Sequence, residues 1–379
     1  MKSNPLKQLG VFGQSLWLDY IRRNMITGGR IRHLIEEDGL RGITSNPSIF
    51  EKAIADSHDY DKDIRAMALN GTGAKEIYEV LSQDDVRNAA DEFRSLYDRT
   101  DGKDGYVSLE VNPHLAHDTK GTIEEARLLW SALNRPNVLI KVPATADGLP
   151  AIRQLISEGI NVNVTLLFGL PRYRQVAEAY LSGIEARVAQ SKDVKHVASV
   201  ASFFLSRIDA LVDPLLEKLI AQGGRKAGLA KKEHGQVAIA SAKMAYQIYK
   251  EIFSSARFEK LAARGARAQR LLWASTSAKN PDYSDVKYVE AIIGADTVTT
   301  VPLETMDAYR DHGNPKARLE QDVEAARRVL ERLPELGISI DEVTQQLVDE
   351  GIEKFKKPFD NLMETVVQKY HHGNLKEES

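Results

Sequence analysis

The stretch "NVLIKVPATADGLPAIRQLISEGINVNVTLLF", residues 137–168, decides the fold because it reads as a strand, a helix and a second strand. The runs 137–142 and 161–168 are rich in valine, leucine and isoleucine, as expected of strands buried on both faces. Pro150 suits a first helical turn, and Gly159 suits the end of a helix. Four apolar residues between the two runs share one helical face: Leu149, Ile152, Leu155 and Ile156. This order predicts two parallel strands joined by a right-handed crossover.

Similar β-rich runs, separated by helical patterns, recur along the chain. The eight predicted strands are "SLWLD" (15–19), "GITSN" (42–46), "YVSLEV" (106–111), "NVLIKV" (137–142), "NVNVTLLF" (161–168), "HVASVASFF" (196–204), "RLLWAST" (270–276) and "DTVTTV" (296–301). Eight such units favour a closed (β/α)₈ TIM barrel over an open doubly wound sheet, and no GxGxxG motif follows the first strand.

The chain is expected to form a single domain of residues 1–379, with the barrel strands spanning about 15–301. Residues 205–269, between the sixth and seventh strands, are long enough for two or three helices around a Gly/Lys-rich surface loop at 221–232. Residues from about 303 to 379 predict a C-terminal helical extension. The sequence leaves open whether these additions form a lid, a partner surface or a buttress.

The composition excludes several classes of protein. The net charge is −3, from 51 basic and 54 acidic residues, which argues against a nucleic-acid or membrane-surface binder. The chain has no cysteine, so disulfides, thiolate nucleophiles and cysteine-based zinc sites are excluded. The N-terminus lacks a signal-like apolar region, and no apolar run approaches the roughly 20 residues of a membrane helix. We therefore expect a cytoplasmic protein without nucleic-acid or membrane partners, and the oligomeric state stays open.

Polar side chains stand at or just after the ends of seven of the eight predicted strands. They are Asp19, Asn46, Glu110, Lys141, Thr165, Ser202 and Ser277. The carboxyl ends of the strands of a TIM barrel meet at one face, and catalytic residues come from that face. We therefore predict an active site built from these residues.

Lys141 directly follows the apolar run Val138-Leu139-Ile140, where an ammonium group is costly to bury. One explanation is a structural ion pair with Glu110 or Asp19. The other is that burial keeps the amine neutral, so that it can attack a carbonyl carbon and form a Schiff base. In that case Glu110 and Asp19 are the candidate general acid and base, and Thr165 is a candidate to hold the water that they share.

Other residues near the predicted site are assigned more simply. Asn46 is a candidate contact for a substrate hydroxyl, although "SNPS" is also a common turn sequence. Arg207 and Lys279 follow Ser202 and Ser277 closely, on loops above adjacent strands, where such barrels often bind phosphate. No metal site is predicted, because the histidines of "HLAH" (114–117) lack a third ligand nearby in sequence.

These residues carry a resemblance to the transaldolase family, specifically its longer bacterial form. Seven stretches match in the family's order: "SLWLDYI", "GITSNPSIF", "VSLEV", "NVLIKVPAT", "NVNVTLLF", "ASFFLSRID" and "LLWASTSAKN". The C-terminal "EGIEKFKKPFDNLME" is similar to the family's closing helix.

The resemblance implies a class I transferase of the pentose phosphate pathway that needs no cofactor. Such enzymes move a dihydroxyacetone unit from sedoheptulose 7-phosphate or fructose 6-phosphate to glyceraldehyde 3-phosphate or erythrose 4-phosphate. The sugar phosphates are thus the implied partners of the chain.

The resemblance also implies a role for individual residues. Lys141 matches the Schiff-base lysine, and Asp19 matches the acid/base for the carbon–carbon bond. Glu110 and Thr165 match the pair that positions the catalytic water. The remaining matches are substrate contacts: Asn46 and Ser202 to hydroxyl groups, and Phe204 as an aromatic that lines the site. Shorter transaldolases have an arginine where this chain has Lys279. The guanidinium of arginine can bind a phosphate through two hydrogen bonds, whereas the ammonium of lysine acts as a point charge.

Two other functions stay open on the sequence. A Schiff-base aldolase would use the same lysine and release free dihydroxyacetone. Phe204 favours transfer, because some small aldolase relatives have a tyrosine at its position. The third possibility, an inactive barrel that serves as a binding scaffold, is disfavoured by the intact Asp, Glu, Lys and Thr set.

Overall fold

The structure, a computed structural model, describes residues 4–374. Residues 1–3 of the predicted domain and residues 375–379 of the predicted C-terminal extension lie outside the described residues.

The predicted TIM barrel is confirmed. Eight parallel strands close in the order β1-β2-β3-β4-β5-β6-β7-β8, with β8 paired to β1. Their bounds are β1 Gln14–Asp19, β2 Leu40–Thr44, β3 Tyr106–Glu110, β4 Val138–Pro143, β5 Val162–Leu167, β6 Ser199–Phe204, β7 Arg270–Ala274 and β8 Thr297–Val301. Every predicted strand overlaps an observed one, although Asn46 and Ser277 lie just beyond β2 and β7.

Helices surround the barrel and connect its strands. They are α1 Pro5–Val11, α2 Arg23–Thr27, α3 Arg30–His33, α4 Pro47–Ala55, α5 Asp61–Leu69, α6 Ala74–Arg99, α7 Thr119–Leu133, α8 Gly148–Glu158, α9 Leu170–Ala189, α10 Ser206–Gln222, α11 Gly224–Glu233, α12 Val237–Phe253, α13 Ala256–Ala262, α14 Lys287–Ala291, α15 Leu303–His312, α16 Val323–Leu336 and α17 Ile340–Asn374. A π-helical turn, Leu34–Asp38, and a 3₁₀ turn, Pro113–Leu115, complete the set. None of the helices in residues 4–374 has the length and apolar character that crossing a bilayer requires.

The connection between β6 and β7 differs from its prediction. It contains four helices, α10 to α13, instead of two or three, and α11 occupies most of the predicted 221–232 loop. Gly223 separates α10 from α11 with a φ of 74°, a conformation that glycine adopts without strain. Ala230 is fully buried in α11, so tertiary packing overrides the low helix propensity of this glycine-rich segment.

The barrel interior is packed toward the amino ends of the strands. Trp17 fills the space beside Gly42, where an added Cβ would lie 2.6 Å from the indole ring. Below it Arg270 donates to Ser15 Oγ at 2.9 Å and pairs with Asp104 at 3.1 Å. Polar groups that open into a cavity gather at the opposite end, where the strands finish.

The C-terminal helix α17 lies across that opposite end. It packs on α4 and contacts α5, α6, α10 and β5. Lys369 near its end pairs with Asp61 at 2.6 Å, and Asp360 accepts a hydrogen bond from His114 at 2.8 Å. This helix therefore covers the face on which the strand ends meet.

Candidate active site

A cavity of about 200 Å³ opens at the carboxyl ends of the strands. Nine of the ten predicted site residues line it: Asp19, Asn46, Lys141, Thr165, Ser202, Phe204, Arg207, Ser277 and Lys279. The tenth, Glu110, lies behind Lys141 and is not part of the lining. The lining also contains residues that the sequence did not indicate, among them Thr44, Thr300, Glu304 and Phe355.

Lys141 is buried and makes two polar contacts. Its Nζ donates to the carbonyl oxygen of Ser45 at 2.9 Å and lies 3.0 Å from Glu110 Oε2. Only 4% of the residue is exposed, and it faces the cavity that Asp19 also lines. The ion pair suggested as an alternative is thus present, and it is compatible with an amine that a ligand in the cavity can reach.

Glu110 is a buried carboxyl group with unused hydrogen-bonding capacity. Apart from the contact of 3.0 Å between Oε2 and Lys141 Nζ, neither of its oxygens has a hydrogen-bond partner in the described part of the chain. Burial raises the pKa of Glu110 more strongly than the Lys141 cation lowers it. The Thr165 hydroxyl is also buried without a partner. These atoms offer acceptors and a donor that one small polar molecule could use.

Asp19, at the end of β1, is the second carboxyl group of the site. Its Oδ1 accepts a hydrogen bond from Thr44 Oγ1 at 2.7 Å, and Thr44 Oγ1 is 2.8 Å from Thr300 Oγ1. Burial raises the pKa of Asp19, against the opposing effects of Lys141 and Thr44. The site thus combines a lysine with two carboxyl groups whose pKa values are raised by burial, which makes both of them candidates for proton transfer.

Asn46 has a structural contact as well as a place in the cavity. Its Oδ1 accepts from the backbone N–H of Ile49 at 3.1 Å and caps the N-terminus of α4, with Pro47 in the first turn. The interpretation of "SNPS" as a turn sequence is therefore consistent with the backbone around Asn46. Its side chain also lines the cavity, so the two explanations are compatible.

A chain of buried hydrogen bonds holds the floor of the cavity. Ser202 Oγ donates to Asn163 Oδ1 at 2.6 Å, and Asn163 Nδ2 donates to Ser108 Oγ at 3.0 Å. Ser45 Oγ donates to the Ser108 carbonyl oxygen at 2.6 Å. Asn163 was missed, although its period-2 spacing from Thr165 places both on the inner face of β5. This network orients Ser202 and the Ser45 carbonyl that contacts Lys141.

Two cations form the other end of the cavity. Arg207 is the second residue of α10, not a loop residue as predicted, and its guanidinium lies 5.5 Å from the centre of the Phe204 ring. Its Nη1 is buried without a hydrogen-bond partner among the described residues, and burial lowers the pKa of Arg207. Lys279 Nζ donates to Ser277 Oγ at 2.8 Å, and its pKa is lowered by burial and then by Arg207. Adjacent cations with spare donors favour an anion such as phosphate.

The loop that carries Lys279 is fastened to α10. Tyr283 donates to Asp213 Oδ2 at 2.6 Å, and Asp213 Oδ1 accepts from the N–H of Gly235 at 2.8 Å. Tyr288 donates to Asp209 Oδ2 at 2.8 Å. No sequence motif indicated these buried contacts, because they join segments that are distant along the chain. They fix the position of the cationic end.

The described residues contain no group of three or more His, Asp or Glu side chains arranged to hold a metal ion. The two histidines of "HLAH" instead approach single carboxylates. His114 is 2.8 Å from Asp360, and His117 is 3.5 Å from Asp147.

The chain is similar to known proteins of one family. The family model described as "Transaldolase/Fructose-6-phosphate aldolase" matches residues 16–366. The chain is 49% identical to a "Transaldolase" of Trichodesmium erythraeum over 97% of the chain and 98% of the relative. It is 47% identical to a "Transaldolase 2" of Nostoc punctiforme over the same shares. A "Transaldolase" of Thermobifida fusca is 44% identical over 96% of the chain and 98% of the relative.

Proposed function

Because the chain belongs to the transaldolase/fructose-6-phosphate aldolase family, we propose that it moves a dihydroxyacetone unit between sugar phosphates through a Schiff base on Lys141. The activity is that of a transaldolase, a transferase. The observation that carries the residue assignment is the position of Lys141 in one cavity with Asp19, beside Glu110, and with the cations Arg207 and Lys279 at the far end.

Schiff-base formation requires one water molecule to leave. The amine adds to the ketone carbon of the donor sugar, and the resulting hydroxyl departs as water after it takes up a proton. Glu110 and Thr165 are the groups assigned to this step, because both are buried beside Lys141 with hydrogen-bonding atoms that no described residue uses. The raised pKa of Glu110 suits a group that both donates and accepts a proton.

Cleavage of the carbon–carbon bond requires a base at the neighbouring hydroxyl. We assign this role to Asp19, which takes the hydroxyl proton as the bond breaks and an aldose phosphate leaves. The electron pair stays on the three carbons bound to Lys141, with the iminium nitrogen as electron sink. In the second half, Asp19 returns a proton to the oxygen of the acceptor aldehyde as the new bond forms.

Substrate recognition is assigned to the rest of the cavity. Asn46, Ser202 and Ser277 face the space with polar side chains suited to sugar hydroxyls. Arg207 and Lys279 are assigned to the phosphate, because two neighbouring cations in the cavity lining suit an anion.

The wider setting follows from the same proposal. The donors would be sedoheptulose 7-phosphate or fructose 6-phosphate, and the acceptors glyceraldehyde 3-phosphate or erythrose 4-phosphate, as in the pentose phosphate pathway. We infer a single domain of residues 1–379 that works in the cytoplasm without a cofactor and without nucleic-acid partners.

Reductive trapping tests this proposal. Borohydride added with fructose 6-phosphate should attach a stable adduct to Lys141, which peptide mapping would locate, and Lys141→Met should abolish both adduct and turnover. Lys243→Met is a matched control, because Lys243 is also buried but lies in α12 and donates to the Gln321 carbonyl. An adduct on another lysine, or full turnover in Lys141→Met, would refute the assignment.

Acceptor dependence distinguishes transfer from simple cleavage. The family description names an aldolase as well as a transaldolase. Product formation from fructose 6-phosphate should therefore be measured with and without erythrose 4-phosphate. A transferase should require the acceptor, whereas an aldolase should release dihydroxyacetone at the same rate without it.

A further inference from the structure

Helix α17 contributes one side chain, Phe355, to the lining of the cavity. The centre of its ring lies 5.8 Å from Lys141 Nζ, and the residue is 4% exposed. No sequence motif indicated a role for this residue. Its position beside the amine raises the question of what an apolar ring does there.

Two glycine contacts show that α17 lies unusually close to the end of β5. A Cβ added to Gly351 would be 2.8 Å from Leu166 Cδ2, and Leu166 directly follows Thr165. A Cβ added to Gly169 would be 3.0 Å from Thr344 Oγ1 of α17. The missing side chains thus permit a close approach, and the approach brings Phe355 over the cavity.

The surroundings of Lys141 are divided between polar and apolar groups. Its two polar partners, the Ser45 carbonyl and Glu110, belong to the barrel. Phe355 of α17 and Phe204 of β6 also line the cavity, and neither can donate or accept a conventional hydrogen bond. The helix therefore covers the amine with a ring that cannot hold a water molecule in place.

Water decides the fate of the three-carbon intermediate on Lys141. In transfer, its nucleophilic carbon attacks the acceptor aldehyde and forms a new carbon–carbon bond. In hydrolysis, that carbon takes a proton, water adds to the imine carbon, and the carbon–nitrogen bond breaks. Free dihydroxyacetone then leaves and the amine of Lys141 is regenerated. Only hydrolysis consumes water before an acceptor has bound.

We propose that Phe355 is a specificity-determining residue that keeps solvent water, other than the one molecule assigned to Glu110 and Thr165, away from the Lys141 intermediate, so that the three-carbon unit is kept for transfer. This inference rests on the proposed Schiff-base function. According to this proposal, α17 determines whether the three-carbon unit is transferred to an acceptor or released as dihydroxyacetone.

The test compares release with transfer in variants of the full chain. Release is the formation of dihydroxyacetone from fructose 6-phosphate without an acceptor, and transfer is the formation of sedoheptulose 7-phosphate with erythrose 4-phosphate. Exclusion of water by the ring predicts that Phe355→Ala raises the ratio of release to transfer about tenfold. Phe355→Leu keeps a smaller apolar side chain over the amine and should raise this ratio about threefold. This variant serves the same test if the alanine variant does not fold.

Phe359 provides a matched control one helical turn further along α17. It is 7% exposed and packs edge-on against the rings of Tyr78 and His114, away from the cavity lining. Phe359→Ala should lower the melting temperature but leave the ratio of release to transfer unchanged.

Four outcomes are informative. A ratio that rises in the Phe355 variants alone supports the proposal. An unchanged ratio in those variants, with borohydride trapping intact, overturns it, as does an equal rise in Phe359→Ala. Failure of the wild-type chain to form any trapped adduct would instead refute the Schiff-base function, so the two failures can be told apart.

Discussion

Replacing Lys141 by alanine should destabilise the fold. Removal of a buried amine without a charged partner would instead stabilise it. The reason for the destabilisation is Glu110, whose Oε2 lies 3.0 Å from Nζ. At an effective dielectric constant of about 20, unit charges at that distance attract by roughly 5 kcal/mol. Part of this attraction is offset by the desolvation of both groups, and removing one partner of a buried pair typically costs about 3–5 kcal/mol. Since Glu110 can take up a proton when its partner is lost, we expect the lower end, about 3 kcal/mol near pH 7.5.

The dependence on pH identifies Glu110 as the source of this loss. Burial raises the pKa of Glu110 in the folded state above its ordinary value of 4.5. At a pH between these two pKa values, Glu110 is protonated in the folded state and ionised in the unfolded state. The free energy of unfolding therefore falls as the pH rises through that range. Without Lys141 the pKa of Glu110 rises further, which enlarges the penalty at neutral pH. Below pH 4.5 the carboxyl is neutral in both states, and the difference between variant and wild type should shrink.

Urea denaturation followed by tryptophan fluorescence measures these differences, because Trp17 and Trp273 are fully buried. The double variant Lys141→Ala/Glu110→Gln should recover about 2 kcal/mol at pH 7.5, since it removes the unpaired carboxylate. The role of the ion pair is refuted if Lys141→Ala is as stable as wild type at pH 7.5, or if its loss of unfolding free energy is the same at pH 4.

Three further predictions concern substrate binding and acid–base chemistry. Lys279→Ala should raise KM for phosphorylated sugars about tenfold and leave unphosphorylated dihydroxyacetone donors nearly unaffected, and equal losses would contradict the phosphate assignment. Tyr283→Phe removes the hydrogen bond to Asp213 and should raise the same KM about threefold without changing kcat for unphosphorylated donors, whereas an unchanged KM would show that this contact does not position the loop. Thr44→Val removes a donor that lowers the pKa of Asp19, so the acid limb of kcat/KM should move to higher pH, and an unmoved limb would count against Asp19 as the base.

The barrel could be predicted from sequence because its strands have a simple physical signature. Strands of a parallel barrel are buried on both faces, so 137–142 and 161–168 appear as short apolar runs between helical patterns. The β6–β7 connection was harder, because the glycines of 221–232 indicate a loop when considered locally. In the structure α11 forms there, and the burial of Ala230 against the rest of the molecule compensates for the weak local preference.

The candidate site could be predicted to the extent that it depends on strand ends. Asp19, Lys141 and Thr165 needed only a strand boundary and the rule that these ends converge. Phe355 could not be found in this way, because its place over the cavity depends on how α17 packs across the barrel. The Ser45 carbonyl could not be found either, since a backbone atom carries no sequence signal.

Buried polar atoms without a hydrogen-bond partner among the described residues occur both at the site and away from it. A buried group that forms no hydrogen bond costs about 1–3 kcal/mol. Within residues 4–374, Trp17 Nε1 and the Tyr173 hydroxyl are such groups, and neither residue lines the cavity. At the site, both oxygens of Glu110 and the Thr165 hydroxyl are without a hydrogen bond among the described residues, although Glu110 Oε2 is ion-paired with Lys141. Folding alone would favour apolar residues at such positions. The presence of Glu110 and Thr165 is explained if a bound sugar phosphate and its reacting water supply the missing hydrogen bonds.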